Sequence, residues 1–176
     1  TQVSAGNSHS CALTAAGGVK CWGNNSSGQL GDGTTTQRLV AVNAVGLESG
    51  VVQVAAGLGP HACALTTNGV VKCWGANAWG QLGDGTTSGR LTAVETVGLG
   101  GVVASLSAGA YHTCALTTEG GVKCWGNNVY GQLGDGTQIH RSTPVDVTGL
   151  TNGVVSIAAG EEHTCALTKE SGMKCW

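Results

Sequence analysis

Phenylalanine is missing from this chain of 176 residues, and methionine and proline are nearly so, at one and two copies. A core built without Phe must draw its apolar mass from Val, Leu, Ala and five Trp, which suits short strands and turns better than helices. Charge is also thin, at 10% of residues, with a net charge of -2 and a pI of about 6.1. No Lys/Arg cluster occurs anywhere, so direct binding of a nucleic-acid backbone is not expected. No run approaches the roughly eighteen consecutive apolar residues of a membrane-spanning helix, and membrane insertion is not expected either. The chain opens at Thr1 with neither a Met nor a charged-then-apolar leader. A signal peptide is therefore expected to have been removed or to lie outside this segment.

What the chain has in abundance is glycine, at 31 residues, and repetition. The text His112-Thr113-Cys114-Ala115-Leu116-Thr117, a few turn residues, then Val122-Lys123-Cys124-Trp125-Gly126 has near-copies starting at His9, His61 and His163. Trp22, Trp74, Trp125 and Trp176 mark the period, with steps of 52, 51 and 51 residues. A fixed period of this length is the signature of solenoids, propellers or arrays. The units run over about 1–50, 51–101, 102–152 and a partial 153–176, within one repeat domain.

Each unit reads as four strands. The first is a small apolar run, Val51 to Ala56, matched by Val103 to Ala108 and Val154 to Ala159. The second, His-x-Cys-Ala-Leu-Thr, and the third, Val-Lys-Cys-Trp, form a hairpin over a glycine-containing turn; in the fourth copy that turn is Ser171-Gly172. A long loop follows, Asn25 to Thr34, Asn77 to Thr86 and Asn128 to Thr137, and then a strand from Arg38, Arg90 or Arg141 to Val45, Val97 or Val147. Pro144 in that last strand is tolerable only at an outer edge. Four short antiparallel strands, with the middle ones apolar or small on both faces, describe a sheet covered on each side by another sheet. The expectation is an all-β propeller of four-stranded blades, three complete and one partial, belonging to a larger or oligomeric ring.

The text Ala-Gly-x-x-His-Thr-Cys-Ala-Leu-Thr, followed by Gly-x-Val-Lys-Cys-Trp-Gly-x-Asn-x-x-Gly-Gln-Leu-Gly, resembles the repeat of the regulator of chromosome condensation family. The match spans essentially the whole chain, and the family implies a propeller, usually of seven blades. The Cys pairs depart from intracellular members of that family and resemble a secreted, often bacterial, variant.

Folding the hairpin with Cys114 opposite Cys124 sets Leu116 across from Val122 and His112 across from Gly126. Facing Cys at a non-hydrogen-bonded position lie within reach of one S–S bond. The expected disulfides are Cys11–Cys21, Cys63–Cys73, Cys114–Cys124 and Cys165–Cys175, each worth about 2–3 kcal/mol at most by loop entropy. Metal binding by His-x-Cys and the second Cys is the rival reading, and reduced thiols a third. The metal reading lacks a Cys-x-x-Cys knuckle and a fourth ligand, so no metal or other cofactor is expected. Mass without reductant separates the three readings: four bridges make the chain eight protons lighter than eight free thiols do.

His9, His61, His112 and His163 recur before a strand start, and satisfying buried backbone groups of a neighbouring blade explains them better than catalysis. His140, outside the repeat, is expected to be exposed. No nucleophile, base and orienting carboxylate can be assembled, so no catalytic residue and no enzyme activity are expected. Asp32-Gly33, Asp84-Gly85 and Asp135-Gly136 offer too few oxygens for calcium and read as turns. Gln29, Gln81 and Gln132 are expected to pin the loop to the next blade. The four repeat Trp, across from Ser or Thr, are expected to fill the space between blades.

Two inserts vary inside otherwise constant text. Before the His stand Asn7-Ser8, Leu58-Gly59-Pro60, Ala110-Tyr111 and Glu161-Glu162; before Gly-Gln stand Ser26-Ser27, Ala78-Trp79 and Val129-Tyr130. Trp79, Tyr111 and Tyr130 are not demanded by the repeat and are the candidate partner-binding anchors, capping of neighbouring blades being the plainer reading. A secreted beta-lactamase inhibitor propeller of the resembling family uses loop aromatics on one face, which by analogy points to the same three residues. The leading expectation is an extracellular or cell-surface scaffold that binds a protein or a glycan through loops on one face. The alternative is a structural element that self-associates through open blade edges. A guanine-nucleotide exchange factor, suggested by the resemblance, lacks an acidic wedge-like insertion and sits badly with disulfides.

Overall fold

The computed structural model describes residues 2–170 and 172–176, and every regular element among them is a strand. Strands β1 (Gln2–Ala5), β2 (His9–Leu13), β3 (Val19–Gly23) and β4 (Arg38–Asn43) form one antiparallel sheet in that order. Strands β5 (Val51–Ala56), β6 (His61–Thr66), β7 (Val71–Gly75) and β8 (Arg90–Glu95) form the second. The third holds β9 (Val103–Ala108), β10 (His112–Thr117), β11 (Val122–Gly126) and β12 (Arg141–Asp146). Three strands make the fourth: β13 (Val154–Ala159), β14 (Thr164–Thr168) and β15 (Met173–Cys175). These are three full blades and a partial fourth, and the fold is an all-β propeller. The turn residue Ser171 lies outside the described residues.

Strands β1, β5, β9 and β13 neighbour one another from blade to blade and form the inner edge. Strands β4, β8 and β12 form the outer edge and end one or two residues before the sequence pattern suggests. Their pairing with the third strand shifts register just before Gly23, Gly75 and Gly126. Pro144 lies in β12 between Arg141, paired with Gly126, and Val145, paired with Cys124, so its missing N–H falls on an edge beside a bulge.

The core lies between blades rather than inside them. One apolar cluster joins Leu13, Val19 and Leu30 of blade 1 to Val54, Ala64 and Trp74 of blade 2, and the next two seams repeat the pattern. This is why the middle strands are buried on both faces: β6 and β10 are closed to solvent at five consecutive positions. In every hairpin the facing Cys are joined, Cys11 to Cys21, Cys63 to Cys73, Cys114 to Cys124 and Cys165 to Cys175, with Cα atoms 4.0 or 4.1 Å apart. In the fourth blade Thr164 and Trp176 exchange both backbone hydrogen bonds, of 2.8 and 2.9 Å. The adjacent Cys165 and Cys175 therefore occupy a non-hydrogen-bonded pair, where facing side chains approach most closely.

Candidate functional site

At two of the three seams, the repeated His hydrogen-bonds to the next blade. His61 Nε2 lies 3.1 Å from Thr113 Oγ1, and that hydroxyl donates to the Gln81 carbonyl over 2.9 Å. His112, Thr164 and the Gln132 carbonyl repeat the arrangement at 2.9 and 3.1 Å. A threonine hydroxyl has one proton, so with that proton on the carbonyl the imidazole must donate, which assigns the Nε2–H tautomer to both histidines. For His61 and His112 the acceptor is thus a hydroxyl that relays to a carbonyl, not the backbone itself as the sequence suggests. Burial pushes His61 down to about 3, with His9 and His112 adding to the effect, and pushes His9 and His112 to about 4. Each ring is neutral at pH 7 and so is a poor candidate for charge-based chemistry. The Ala-Gly ahead of each His follows from close approach: a Cβ on Gly57 would lie 2.6 Å from Cε1 of His61.

The seam tryptophans are held by the same carbonyls. Trp74 Nε1 donates to Gln29 O, Trp125 Nε1 to Gln81 O and Trp176 Nε1 to Gln132 O, each at 2.9 Å. Trp74 faces Ala62, where the other blades place Ser or Thr. The Gln side chains bind their own loop instead of the next blade, accepting from the N–H of Ser27, Trp79 and Tyr130. Inside the long loop, Asn25 Nδ2 donates to Asp32 and to the carbonyls of Thr34 and Thr36, while its Oδ1 accepts from Leu30 N. Asn77 and Asn128 do the same. Burial works against the Asp32 carboxylate, yet hydrogen bonds from Thr34, Arg38 and Asn25 outweigh it and hold its pKa below the ordinary value. Asp84 and Asp135 behave alike, each joined to an Arg. These loops are self-satisfied turns. Among the described residues no group of three or more His, Cys, Asp or Glu is placed to hold a metal.

The two variable inserts meet on one face. The second strand begins at the end of the blade where the third stops, so both inserts emerge there. Backbone bonds of 2.8 Å from Asn24 to Ser8, Ala76 to Pro60 and Asn127 to Tyr111 tie them together. Trp79, Tyr111 and Tyr130 all stand on this face, 39, 40 and 65% exposed. They do not form one cluster. Trp79 packs edge-on against His140 of the next blade, ring centroids 4.7 Å apart, and His140 Nδ1 accepts from Asn128 N. His140 is exposed, but it is anchored at both ends. Tyr111 instead closes a cleft of about 270 Å³ with the inserts of blades 1 and 2. Leu58, Val129 and Ile139 add exposed apolar surface on these loops that no repeat position demanded. A hollow of about 310 Å³ on the opposite face, lined by Asn68 to Val71 and Gly98 to Val102, contains no aromatic residue.

Blade-to-blade seams closed by apolar packing, with the variable loops gathered on one face, are those of a β-propeller, a fold that serves as a binding scaffold. The chain belongs to the regulator of chromosome condensation (RCC1) repeat family. One model of that repeat matches residues 16–65 and 119–167, and a second matches 1–29, 51–81 and 103–132. Over 175 residues, 97% of its length, the chain is 39% identical to the human probable E3 ubiquitin-protein ligase HERC4 and spans 16% of that protein. Human WBSCR16 superposes with a TM-score of 0.86 at 30% identity, all of this chain covering 46% of that one. Yeast RCC1 (Prp20), in a structure bound to Kap60, gives a TM-score of 0.85 at 23% identity over 99% of this chain and 43% of its own.

Proposed function

We propose that this chain is a non-enzymatic binding scaffold that engages a protein partner through the loop face carrying Trp79, Tyr111 and Tyr130. The observation that carries the reading is the convergence of both variable inserts at one end of the blades, with aromatic and aliphatic side chains left exposed. Exposed aromatics on a rigid frame are effective anchors, because little side-chain entropy is lost when they are buried. The yeast neighbour bound to Kap60 shows the same fold in a protein complex. The four Cys pairs favour an oxidising setting, outside the cell or at its surface. Photo-crosslinking tests the face: a reactive residue at position 130 is expected to capture the partner in its native setting, and one at Val102 on the opposite face is not. The reverse result overturns the reading.

A second reading rests on blade 1. Leu39 is 88% exposed, whereas its counterpart Leu91 is 41% exposed because Gly28 and Gly33 of the preceding blade lie against it. A blade packed on this face, of the same polypeptide or of a second copy, would cover it. Sedimentation of the isolated segment as a stable monomer contradicts that reading. Loss of assembly in Leu39→Ser, with crosslinking at position 130 retained, supports it.

A further inference from the structure

We propose that the cleft beside Tyr111 is a subsite for one ring of a neutral saccharide. The inference rests on the loop-face reading and names a ligand for one part of that face. Four loops from three blades build the cleft: Asn7-Ser8, Asn24 to Gln29, Leu58-Gly59-Pro60, and Tyr111. Nothing charged lines it, so an anionic or cationic ligand would lose hydration without gaining a counter-charge. Its polar lining is amide and hydroxyl, groups that both donate and accept, as sugar hydroxyls do.

Part of that lining is already committed to the fold. Asn24 Oδ1 accepts from Ser26 N, Ser26 Oγ and Gln29 Nε2. Asn24 Nδ2, the Asn7 side chain and the hydroxyls of Ser8 and Ser27 enter no hydrogen bond among the described residues and stay available. Asn24 thus presents a held, oriented donor instead of a free rotor, which lowers the entropy lost on binding. Tyr111, half-exposed at the wall, supplies a flat ring for the C–H face of a pyranose, and Pro60 and Leu58 extend the apolar side. The volume of about 270 Å³ lies just under the range of roughly 300–1,000 Å³ typical of drug-sized ligands, which suits a single ring or a chain end.

Blade 3 shows what the cleft depends on. There the residues corresponding to Ser26-Ser27 are Val129-Tyr130, and in blade 2 they are Ala78-Trp79, so among the three complete blades it is blade 1 that pairs a hydroxyl-rich long loop with a polar insert before its His. The polar cleft and the apolar patch around Trp79, Ile139 and Tyr130 therefore divide the face into two chemistries.

The test is titration of the isotope-labelled chain with neutral oligomers of glucose, mannose, galactose and N-acetylglucosamine, read by amide chemical shifts. At least one is expected to move the side-chain amides of Asn7 and Asn24 and the backbone of Ser8, Ser27 and Tyr111, with millimolar or tighter affinity. Tyr111→Ala is expected to weaken that binding by about tenfold, and Trp79→Ala to leave it unchanged. Thermal melts of both variants show whether each is folded; Ser27→Arg, which fills the cleft from an exposed loop, gives an independent loss of binding. If none of the oligomers moves these resonances, or if Tyr111→Ala and Ser27→Arg bind as the parent does, the subsite proposal falls. Crosslinking of a protein at position 130 would then still support the loop face. Saccharide shifts without any crosslink at position 130 would keep the cleft and overturn the protein-binding reading.

Discussion

The seam between blades 1 and 2 and the seam between blades 2 and 3 are written in the same repeat, yet they are bonded differently. At the second, His61 donates to Thr113, and Thr113 to the Gln81 carbonyl. At the first, Ala62 takes the place of that threonine, and among the described residues neither nitrogen of the buried His9 makes a well-aligned hydrogen bond. Blade 2 carries another loss: Ala76 stands where Asn24 and Asn127 accept from a Gln Nε2, so Gln81 Nε2 has no hydrogen-bond partner among the described residues. Both seams keep the tryptophan bond to a Gln carbonyl and contacts between inner strands, Gln2 and Ser4 at the first and Gln53 at the second. Packing and the polar relay are therefore separable. Apolar burial holds the blades against one another, the disulfides staple each hairpin within its own blade, and the relay adds to the seams where the sequence supplies it.

The largest effect expected is from acid, and it is common to both seams. His9, His61 and His112 have folded pKa values of about 3 to 4, below the unfolded value near 6.5. Between those limits the unfolded chain binds more protons, so stability falls as pH drops below about 6.5 and stops falling on this account near the folded values. Each histidine contributes up to about 1.4 kcal/mol per pH unit in that window. Urea midpoints at several pH values measure the slope, and a flat profile from neutral pH to pH 4.5 would contradict it.

Next come Trp74→Ala and Trp125→Ala, each expected to cost about 3–5 kcal/mol in urea unfolding. Similar costs mean that the tryptophan contribution is shared by the two seams, whereas a much smaller cost at Trp74 would mean that the first seam is loose throughout. Thr113→Val, nearly isosteric, is expected to cost about 2 kcal/mol, because it strands both the His61 donor and the Gln81 carbonyl's second bond. Ala62→Thr reverses the defect at the first seam and is expected to gain about 1 kcal/mol, with His9 acquiring a partner as His61 has. Ala76→Asn is expected to gain about 0.5 kcal/mol by giving Gln81 Nε2 an acceptor. A destabilised Ala62→Thr would show that the first seam has closed around the smaller side chain, and that its difference from the second is one of packing as well as bonding.

Much of this is legible in the amino-acid sequence. The spacing of the four Trp revealed the blades, and the ten-residue spacing within each Cys pair aligned the hairpin register, Cys114 opposite Cys124, as the structure has it. The role of the repeated His was legible only in outline. Its partner lies about fifty residues away on another blade, and no local pattern distinguishes a hydroxyl from a carbonyl as its acceptor. The run Ser10, Ala62, Thr113 and Thr164 at one repeat position was the available signal, and it marks the defective seam. The candidate binding residues were legible as departures from the repeat. Their grouping was not, since it depends on which loops of neighbouring blades touch. Trp79 goes with His140, and Tyr111 with the inserts of blades 1 and 2.

By itself the sequence determined the period, the strands, the all-β architecture and the hairpin register, because these follow from local spacing and from alternation along a strand. What bridges the blades and what the loop face presents depend instead on how the folded blades pack. Those contacts join residues tens of positions apart, and packing one blade on the next at a set angle settles which hydroxyl meets which imidazole. It also settles which aromatic remains exposed on the loop face.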